Sequence, residues 1–315
     1  GTTITVTAKA TGSATITVNV GADTNYTAPS SKTFTVAVTL VSKTLSSNSW
    51  AVIKAVSDAG QGANYWSVGA TKSVTINGKV GATTISSLKV DAFIIGFNHN
   101  SGKEGSNRIH FLLGKISGKF VGLVDSSYGS TTSTSGAFTM NTNNTNSGGW
   151  ESSQMRSKVL GSASSPTSPT ANTLLAALPS DLRAVMKSCT KYTDNKGGSN
   201  TASNVSSTTD YLFLLSEYEV HGTRSYANSA EQNSQAQYDY FKAGNSKVAN
   251  KHSATGTAAV WWLRSPACIY GNGYYFCEVS SSGSLDYNNA NNAYGVVPGF
   301  CNAWSHGVAI GDRRP

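Results

Sequence analysis

A polar, tyrosine-rich tract between two apolar segments is the feature that most constrains this sequence. Residues 260–266 read V-W-W-L-R-S-P, and residues 295–300 read G-V-V-P-G-F. A fully buried aliphatic or aromatic side chain of this size contributes roughly 1.5–3 kcal/mol to folding. We therefore expect packing to hold both segments as a frame, with Arg264 acting as a paired structural cation. The expected frame residues are Trp261, Trp262, Arg264, Pro298 and Phe300.

The tract between these segments, residues 267–294, has the composition of a binding surface. It contains five Tyr, five Asn, four Ser and three Gly, and it contains no Lys or Arg. Tyrosine offers rigid amphipathic contact area, while Ser, Gly and Asn offer adaptable hydrogen bonding. The alternative is an ordinary loop or hairpin, because Asn and Gly also favour turns.

The genetic code supplies a second observation on the same tract. If the first two bases of an Asn codon change freely, the codon never yields Lys, Glu, Gln, Met, Trp or a stop. Every residue of the tract is reachable in this way except Glu278. The pattern supports a tract that is diversified at adenines.

These motifs resemble a known family. W-W-L-R-S-P, the tract and G-V-V-P-G-F together resemble the C-terminal half of a C-type lectin domain of the formylglycine-generating-enzyme-like type. Such domains occur in the variable proteins of diversity-generating retroelements. The resemblance extends to G-G-W-E-S-S-Q-M-R at 148–156, L-P-S-D-L-R at 178–183 and L-F-L-L-S-E-Y-E-V at 212–220, and it spans most of 45–302. It implies a ligand-binding surface that adenine-directed mutagenesis diversifies on a stable scaffold.

We expect side chains of the tract to present the contact surface, with two or three tyrosines contributing most of the binding free energy. The expected contact residues are Ile269, Tyr270, Asn272, Tyr274, Tyr275, Ser280, Ser282, Asp286, Tyr287, Asn288, Asn289, Asn291, Asn292 and Tyr294.

The first 43 residues form a separate β segment in this interpretation. Residues 3–8, 14–20 and 32–40 alternate apolar and small polar residues, which predicts antiparallel strands with one buried face. The segment resembles the last strands of a bacterial immunoglobulin-like domain. Because three strands rarely form a stable sandwich, we expect either that the segment is incomplete, with further strands upstream of Gly1, or that its sheet packs against the next domain. The predicted domains are therefore 1–43 and 45–315.

The larger domain should be α+β, with the C-type lectin-like fold that the resemblance implies. Residues 90–99 are apolar on both faces and predict a central strand. The spacing of apolar residues predicts helices near 150–160 and 178–186. Further strands are predicted at 50–56, 66–69, 72–76, 109–113, 118–124 and 211–216.

Nothing in the sequence indicates catalysis. The formylglycine-generating relatives use a reactive cysteine pair, but no residue-by-residue match for that pair exists here. Cys268 and Cys277 lie in the tract, and a catalytic thiol does not tolerate a position that is reshuffled. The motifs G-x-S-x-G, H-E-x-x-H and G-x-x-x-x-G-K-[ST] are absent. We predict a protein that is not an enzyme and has no cofactor.

The sequence also favours no metal site. His99 and His110 lack a metal-binding spacing, so polar side chains at strand ends are the favoured interpretation. Asp210, Glu217 and Glu219 lack the order of a calcium loop, which favours solvated or salt-bridged carboxylates. The four cysteines contain no C-x-x-C, and their number alone does not establish a disulfide.

Charge and composition limit the class of partner. The net charge is +8, but the basic residues are scattered, which argues against nucleic-acid binding. No apolar stretch approaches the ~20 residues of a membrane span. Only 13% of residues are charged, as is common on extracellular surfaces. We expect a protein or glycan ligand on a cell surface and a location on a phage virion or bacterial cell. The alternative is a structural virion or adhesin module without a variable site.

Overall fold

A computed structural model describes residues 12–38, 40–124, 138–269, 271 and 273–302. The contacts divide the chain into two units, Gly1–Lys43 and Thr44–Pro315, which are described separately. Among the described residues, no helix is both long enough and apolar enough to cross a membrane.

In the first unit, strand β1 (Gly12–Val18) pairs antiparallel with strand β2 (Lys32–Val38). Thr15 and Thr35 face each other at the centre of this register. The predicted antiparallel pairing of these two strands is confirmed, whereas the predicted strand at 3–8 lies outside the described residues.

The second unit is α+β, as predicted. Its helices are α1 (Trp50–Asp58), α2 (Gly62–Tyr65), α3 (Ser101–Glu104), α4 (Leu174–Ala177), α5 (Ser180–Arg183), α6 (Glu217–His221) and α7 (Asp239–Lys242). Short 3₁₀ helices span Leu45–Ser47, Ala202–Asn204 and Ser229–Asn233, and a π-helical turn spans Met155–Leu160. The strands are β3 (Thr71–Val80), β4 (Thr83–Phe97), β5 (Ile109–Ile116), β6 (Lys119–Gly122), β7 (Met186–Lys187), β8 (Cys189–Asp194), β9 (Val205–Asp210), β10 (Ala249–Lys251), β11 (Ala254–Ala259), β12 (Trp261–Pro266), β13 (Tyr275–Val279), β14 (Leu285–Asn289) and β15 (Gly299–Asn302).

Strand β5 is the centre of an eight-stranded sheet. It pairs antiparallel with β4 along one edge, and with β15 and β6 along the other. Phe111 illustrates the arrangement, since it lies opposite Ile94 on one side and Phe300 on the other. Phe93, Ile94 and Phe111 have no exposed surface. The predicted central strand at 90–97 is confirmed, because residues that are apolar on both faces require cover on both faces.

The predicted strand at 50–56 is wrong, because these residues form helix α1. Ser49 caps the helix by accepting a hydrogen bond from the Val52 N–H at 3.2 Å. The buried side chains Trp50, Ile53 and Val56 recur at three-residue intervals, which matches one face of a helix. A short apolar run fits a strand or a buried helix equally well from periodicity alone.

The predicted strand at 211–216 is also wrong, although Leu212–Leu215 are fully buried. The backbone bonds of this segment go to several elements. The Phe213 N–H donates to Gly299 O at 3.0 Å, and Leu215 O accepts the N–H of Arg264 at 2.9 Å. The two predicted helices are shorter than expected, since the first is reduced to the π-helical turn and Leu178–Pro179 separates α4 from α5.

Candidate ligand-binding surface

The expected frame lies in the interior of the second unit. Trp261, Trp262, Arg264, Pro298 and Phe300 are all buried. The Trp262 indole N–H donates to the backbone carbonyl of Phe138 at 3.0 Å. Phe300 stacks on Phe111 with ring centroids 5.1 Å apart, which attaches the end of the frame to the main sheet.

Arg264 is paired, as the sequence predicts. Its guanidinium forms a two-point ion pair with Glu219 and donates from Nε to Thr193 Oγ1 at 2.7 Å. Burial alone would raise the pKa of Glu219, but the charges of Arg264 and Lys191 outweigh burial and hold that pKa well below its usual value. Asp210 is also salt-bridged, to Arg156. The salt-bridged interpretation of these two carboxylates is therefore confirmed.

The tract folds mainly as an antiparallel hairpin added to the frame. Strand β13 pairs with β12 on one side and with β14 on the other. The turn between β13 and β14 closes through the N–H of Ser280, which donates to Ser284 O at 2.8 Å. Gly283 occupies a φ of 84° in this turn, a conformation that glycine adopts at no steric cost.

The structure places the expected contact residues at different depths. Tyr274, Ser282 and Asp286 are exposed. Tyr270 and Asn272 lie outside the described residues. Asn292 is only 5% exposed, which differs from its predicted place on the contact surface. The half-buried members are Ile269, Tyr275, Ser280, Tyr287, Asn288, Asn289, Asn291 and Tyr294.

Four tyrosines form a row of touching rings, which we call the tyrosine row: Tyr274, Tyr275, Tyr287 and Tyr226. Ring centroids are 6.2 Å apart for Tyr274 and Tyr275, 5.2 Å for Tyr275 and Tyr287, and 4.8 Å for Tyr287 and Tyr226. Tyr274 is 49% exposed, and it is the one exposed large apolar or aromatic side chain among the described residues of the second unit. The row therefore offers connected aromatic area to a partner.

The opposite face of the hairpin carries Glu278, Asp286 and Asn288 together with the buried Phe276. Glu278 is buried and lies directly opposite Asp286 in the strand register. Burial and the nearby Asp286 raise the pKa of the Glu278 carboxyl to about 8. Asn292 donates to Asn288 Oδ1 at 2.6 Å and to Tyr294 Oη at 3.2 Å, which explains why its side chain faces inward.

Residues 138–149, which we call the bracket segment, hold the tract mainly through the tract's backbone. The Asn146 side chain donates to the carbonyls of Ala267 and Tyr275, at 3.3 and 2.9 Å. The N–H groups of Ala290 and Tyr294 donate to the Asn144 side chain and to the Phe138 carbonyl. Hydrogen bonds to the backbone persist when side chains are exchanged, with Pro as the exception.

Sequence reasoning missed two residues of this surface. Tyr226 lies in the segment that follows α6. Buried Glu217, the first residue of α6, holds this segment by accepting hydrogen bonds from the N–H groups of Ser225, Tyr226 and Ala227. The N–H of Cys268 also donates to Tyr226 O at 2.7 Å. Asn146 has no distinguishing signal within its Asn-rich neighbourhood. Glu278 did have a signal, since it is the one unreachable residue of the tract.

Histidines, cysteines and carboxylates cluster elsewhere, in the interior. The donor atoms of His110, Cys189 and Cys301 lie within 4.8 Å of one another, as do those of His99, Glu104 and Glu219. His99 and His110 lie at strand ends, as predicted, since His99 follows β4 by two residues and His110 is the second residue of β5. Both side chains are buried. All four cysteines are free thiols.

Comparison with known proteins identifies one family. The model of a domain of unknown function, DUF6273, matches residues 130–303, which is more than half of the chain and includes the bracket segment, the frame and the tract. No curated protein and no solved structure matches the chain.

Proposed function

We propose that this chain, which belongs to the DUF6273 family of domains of unknown function, is a ligand-binding display protein. Residues 267–294 form its diversifiable binding surface, and the buried frame and the bracket segment form a constant scaffold. The chain is not an enzyme in this proposal. The larger unit has a C-type lectin-like fold, and the tract is diversified as in the variable proteins of diversity-generating retroelements.

The tyrosine row is the observation that carries this proposal. Its rings are connected, and its members Tyr274, Tyr275 and Tyr287 belong to the tract. Tyrosine rings lose little conformational entropy on binding, and interface hot spots are enriched in Tyr. Within the row Tyr274 is exposed and Tyr275 and Tyr287 are half-buried, so a partner would dock from the Tyr274 end.

The way in which the tract is held provides a second argument. Carbonyl groups of Ala267, Gly273 and Tyr275 accept hydrogen bonds from Asn146, so these bonds are independent of tract side chains. On the adjacent strand β12, Trp261 and Trp262 have no exposed surface. A scaffold of this kind keeps the hairpin in place while exposed side chains change.

The chemistry of the surface indicates the class of partner. The described part of the tract offers phenol, amide, hydroxyl and carboxyl groups, and the tract contains no Lys or Arg. Phenol rings with neighbouring amides suit a protein surface or a glycan, whereas a phosphate backbone requires cationic contacts. We place the ligand on a cell surface and the protein on a phage virion or bacterial cell.

Sequencing this locus from several isolates tests the proposal. Substitutions should concentrate at tract codons derived from adenines, whereas Glu278 and the frame should stay constant. The bracket segment is a matched control, because Asn141, Asn143, Asn144 and Asn146 are also Asn codons but lie outside the tract. A nearby reverse-transcriptase gene, together with a near-copy of the 3′ end of this coding sequence, would identify the mechanism by which the tract varies. Equal variation in the tract and the bracket segment would overturn the proposal.

A structural module of a virion or adhesin is the second candidate. The observation that favours it is the burial of the tract, since Tyr274, Ser282 and Asp286 are the only exposed members among the expected contact residues that the structure describes. In such a module the tract would only close the fold. Scattered silent changes across the locus would favour this function.

A further inference from the structure

Three strands bring a histidine and two cysteines together in the interior of the second unit. His110 lies on β5 and Cys301 lies directly opposite it on β15, with Sγ and Nδ1 3.3 Å apart. Cys189 begins β8, and its Sγ lies within 4.8 Å of the other two donor atoms. All three side chains are fully buried. They are far apart in sequence, so no local spacing could have revealed the group.

A carboxylate supplies a fourth donor at the same place. Glu104 Oε2 accepts a hydrogen bond from the Cys189 thiol at 3.1 Å and lies 4.0 Å from His110 Nδ1. The side chain of Glu104 is also buried. The Glu104 carboxylate therefore lies beside the Cys189 sulfur and the His110 nitrogen, two of the three donor atoms that cluster with the Cys301 sulfur.

We propose that His110, Cys189, Cys301 and Glu104 bind a tetrahedral zinc ion that ties β5, β8 and β15 together. Zinc binds sulfur at about 2.3 Å and nitrogen or oxygen at about 2.0–2.2 Å, so neighbouring ligand atoms in a tetrahedron lie about 3.4–3.8 Å apart. The separations of 3.1, 3.3 and 4.0 Å lie within a few tenths of an ångström of that range. Thiolate and imidazole ligands select zinc over calcium or magnesium.

The surrounding charges balance this ion. Two thiolates and one carboxylate around Zn²⁺ leave one negative charge, and the ammonium of Lys191, 2.7 Å from Glu104 Oε2, neutralises it. Lys191 also donates to Tyr238 Oη at 2.8 Å, next to His110. Such outer hydrogen bonds orient metal ligands. The adjacent Glu219 remains paired with Arg264, which leaves the interior electrically balanced.

The neighbouring group of His99, Glu104 and Glu219 suits a metal ion less well than the proposed zinc site does. Glu219 already forms ion pairs with Arg264 and Lys191, so a cation there would have to displace them. At the proposed site, metal binding replaces the two thiol protons and the hydrogen bond between Tyr238 Oη and His110 Nδ1, while Lys191 stays paired with Glu104. The two cysteines lose their protons as the ion binds.

Cobalt substitution tests the site directly. The protein is unfolded in a reductant with a chelator, and it is then refolded with Co²⁺ after the chelator has been removed. We expect thiolate-to-cobalt charge transfer in the near ultraviolet, tetrahedral bands in the visible, and loss of both when Zn²⁺ is added. Protein refolded with Zn²⁺ should retain about one ion per chain and melt at a higher temperature, since binding to the native state stabilises it.

Variants assign the ligands. C189S and C301S should abolish the charge-transfer band, whereas the matched control C277S should keep it, because Cys277 is equally buried but lies in the tract. If C189S fails to fold, the spectrum of the unmodified protein refolded with Co²⁺ still shows whether thiolates bind the metal. Absence of the band, its persistence in C189S/C301S, or a Cys189–Cys301 disulfide in metal-free protein purified without reductant would overturn the proposal.

Discussion

Arg264 and Glu219 form a two-point ion pair in which neither side chain has exposed surface. Arg264 lies on β12, directly before the tract, and Glu219 lies on α6, directly before the segment that carries Tyr226. The pair thus connects the frame to the second contributor to the tyrosine row. Four predictions follow from this architecture.

Replacing Arg264 with Met should destabilise the protein by about 3–5 kcal/mol, because it leaves a buried carboxylate without its main partner. Urea unfolding measures the change. The control is Lys54→Ala, which breaks the Lys54–Asp58 pair on α1 and should cost at most about 1 kcal/mol, since these side chains are partly exposed. Equal losses in the two variants would contradict the structural role of Arg264.

Replacing Tyr274 and Tyr287 together with Ser should leave the melting temperature within a few degrees. Tyr274 is exposed and Tyr287 is half-buried on the hairpin, so little of the core changes. The triple variant with Tyr294→Ser should also stay folded, although the ring centroids of Tyr294 and Trp262 are 4.9 Å apart. Thermal melting monitored by circular dichroism checks this outcome.

The same chemical change at Tyr238 is the matched control for the tract tyrosines. Tyr238 is fully buried and hydrogen-bonds to Lys191, so Tyr238→Ser should cost about 3–5 kcal/mol, as large core truncations do. A tract triple variant that unfolds as readily as Tyr238→Ser would show that the tract is part of the core.

Replacing Asn146 with Ala should destabilise the protein by about 1–3 kcal/mol, because the carbonyls of Ala267 and Tyr275 lose a buried donor. Protease cleavage within the tract should become faster, since its first loop is no longer held. Asn144→Ala is the control. Asn144 is exposed, bonds to Asn289 and accepts the Ala290 N–H, which also donates to Tyr274 O and so keeps a partner. Its loss should cost less than about 1 kcal/mol. Chemical denaturation and proteolysis of both variants check this prediction, and Asn146→Ala should be the less stable of the two.

Stability should fall as pH rises from about 5 to about 8, through Glu278. Its folded pKa of about 8 exceeds the ordinary value of 4.5, so the folded state holds a proton that the unfolded state releases in this interval. At about 1.4 kcal/mol per pKa unit, the loss between pH 5 and pH 8 should be at most about 4 kcal/mol. Urea unfolding at several pH values measures the slope.

Two variants isolate this titration. Glu278→Gln should make the slope less steep, because the side chain no longer gains a charge. Buried Glu231, whose pKa is raised to about 7, still contributes a fall in stability over part of this interval. Asp286→Asn should also reduce the slope, because Asp286 is the second cause of the raised pKa of Glu278. A slope that persists unchanged in Glu278→Gln would exclude Glu278 as its source.

Much of the interior was predictable from local sequence, and the failures have a common origin. Residues 90–97 are apolar on both faces, a pattern that favours a central strand. Residues 50–56 and 211–216 are also apolar, but such short runs suit a helix, a strand or a buried loop equally. The Ser49 cap decides for the helix in the first case, and backbone bonds to several separate elements exclude a strand in the second.

By itself, the sequence determined which side chains must be buried and which tract has the chemistry of a surface. Trp261, Trp262 and Phe300 are buried because removing their large apolar area from water lowers the free energy of the folded state. Only the tertiary structure brought Tyr226 to the tract tyrosines, Asn146 to the tract backbone and Cys189 to Cys301. Those contacts join residues that are 60 to 130 positions apart, and their geometry depends on how whole elements pack.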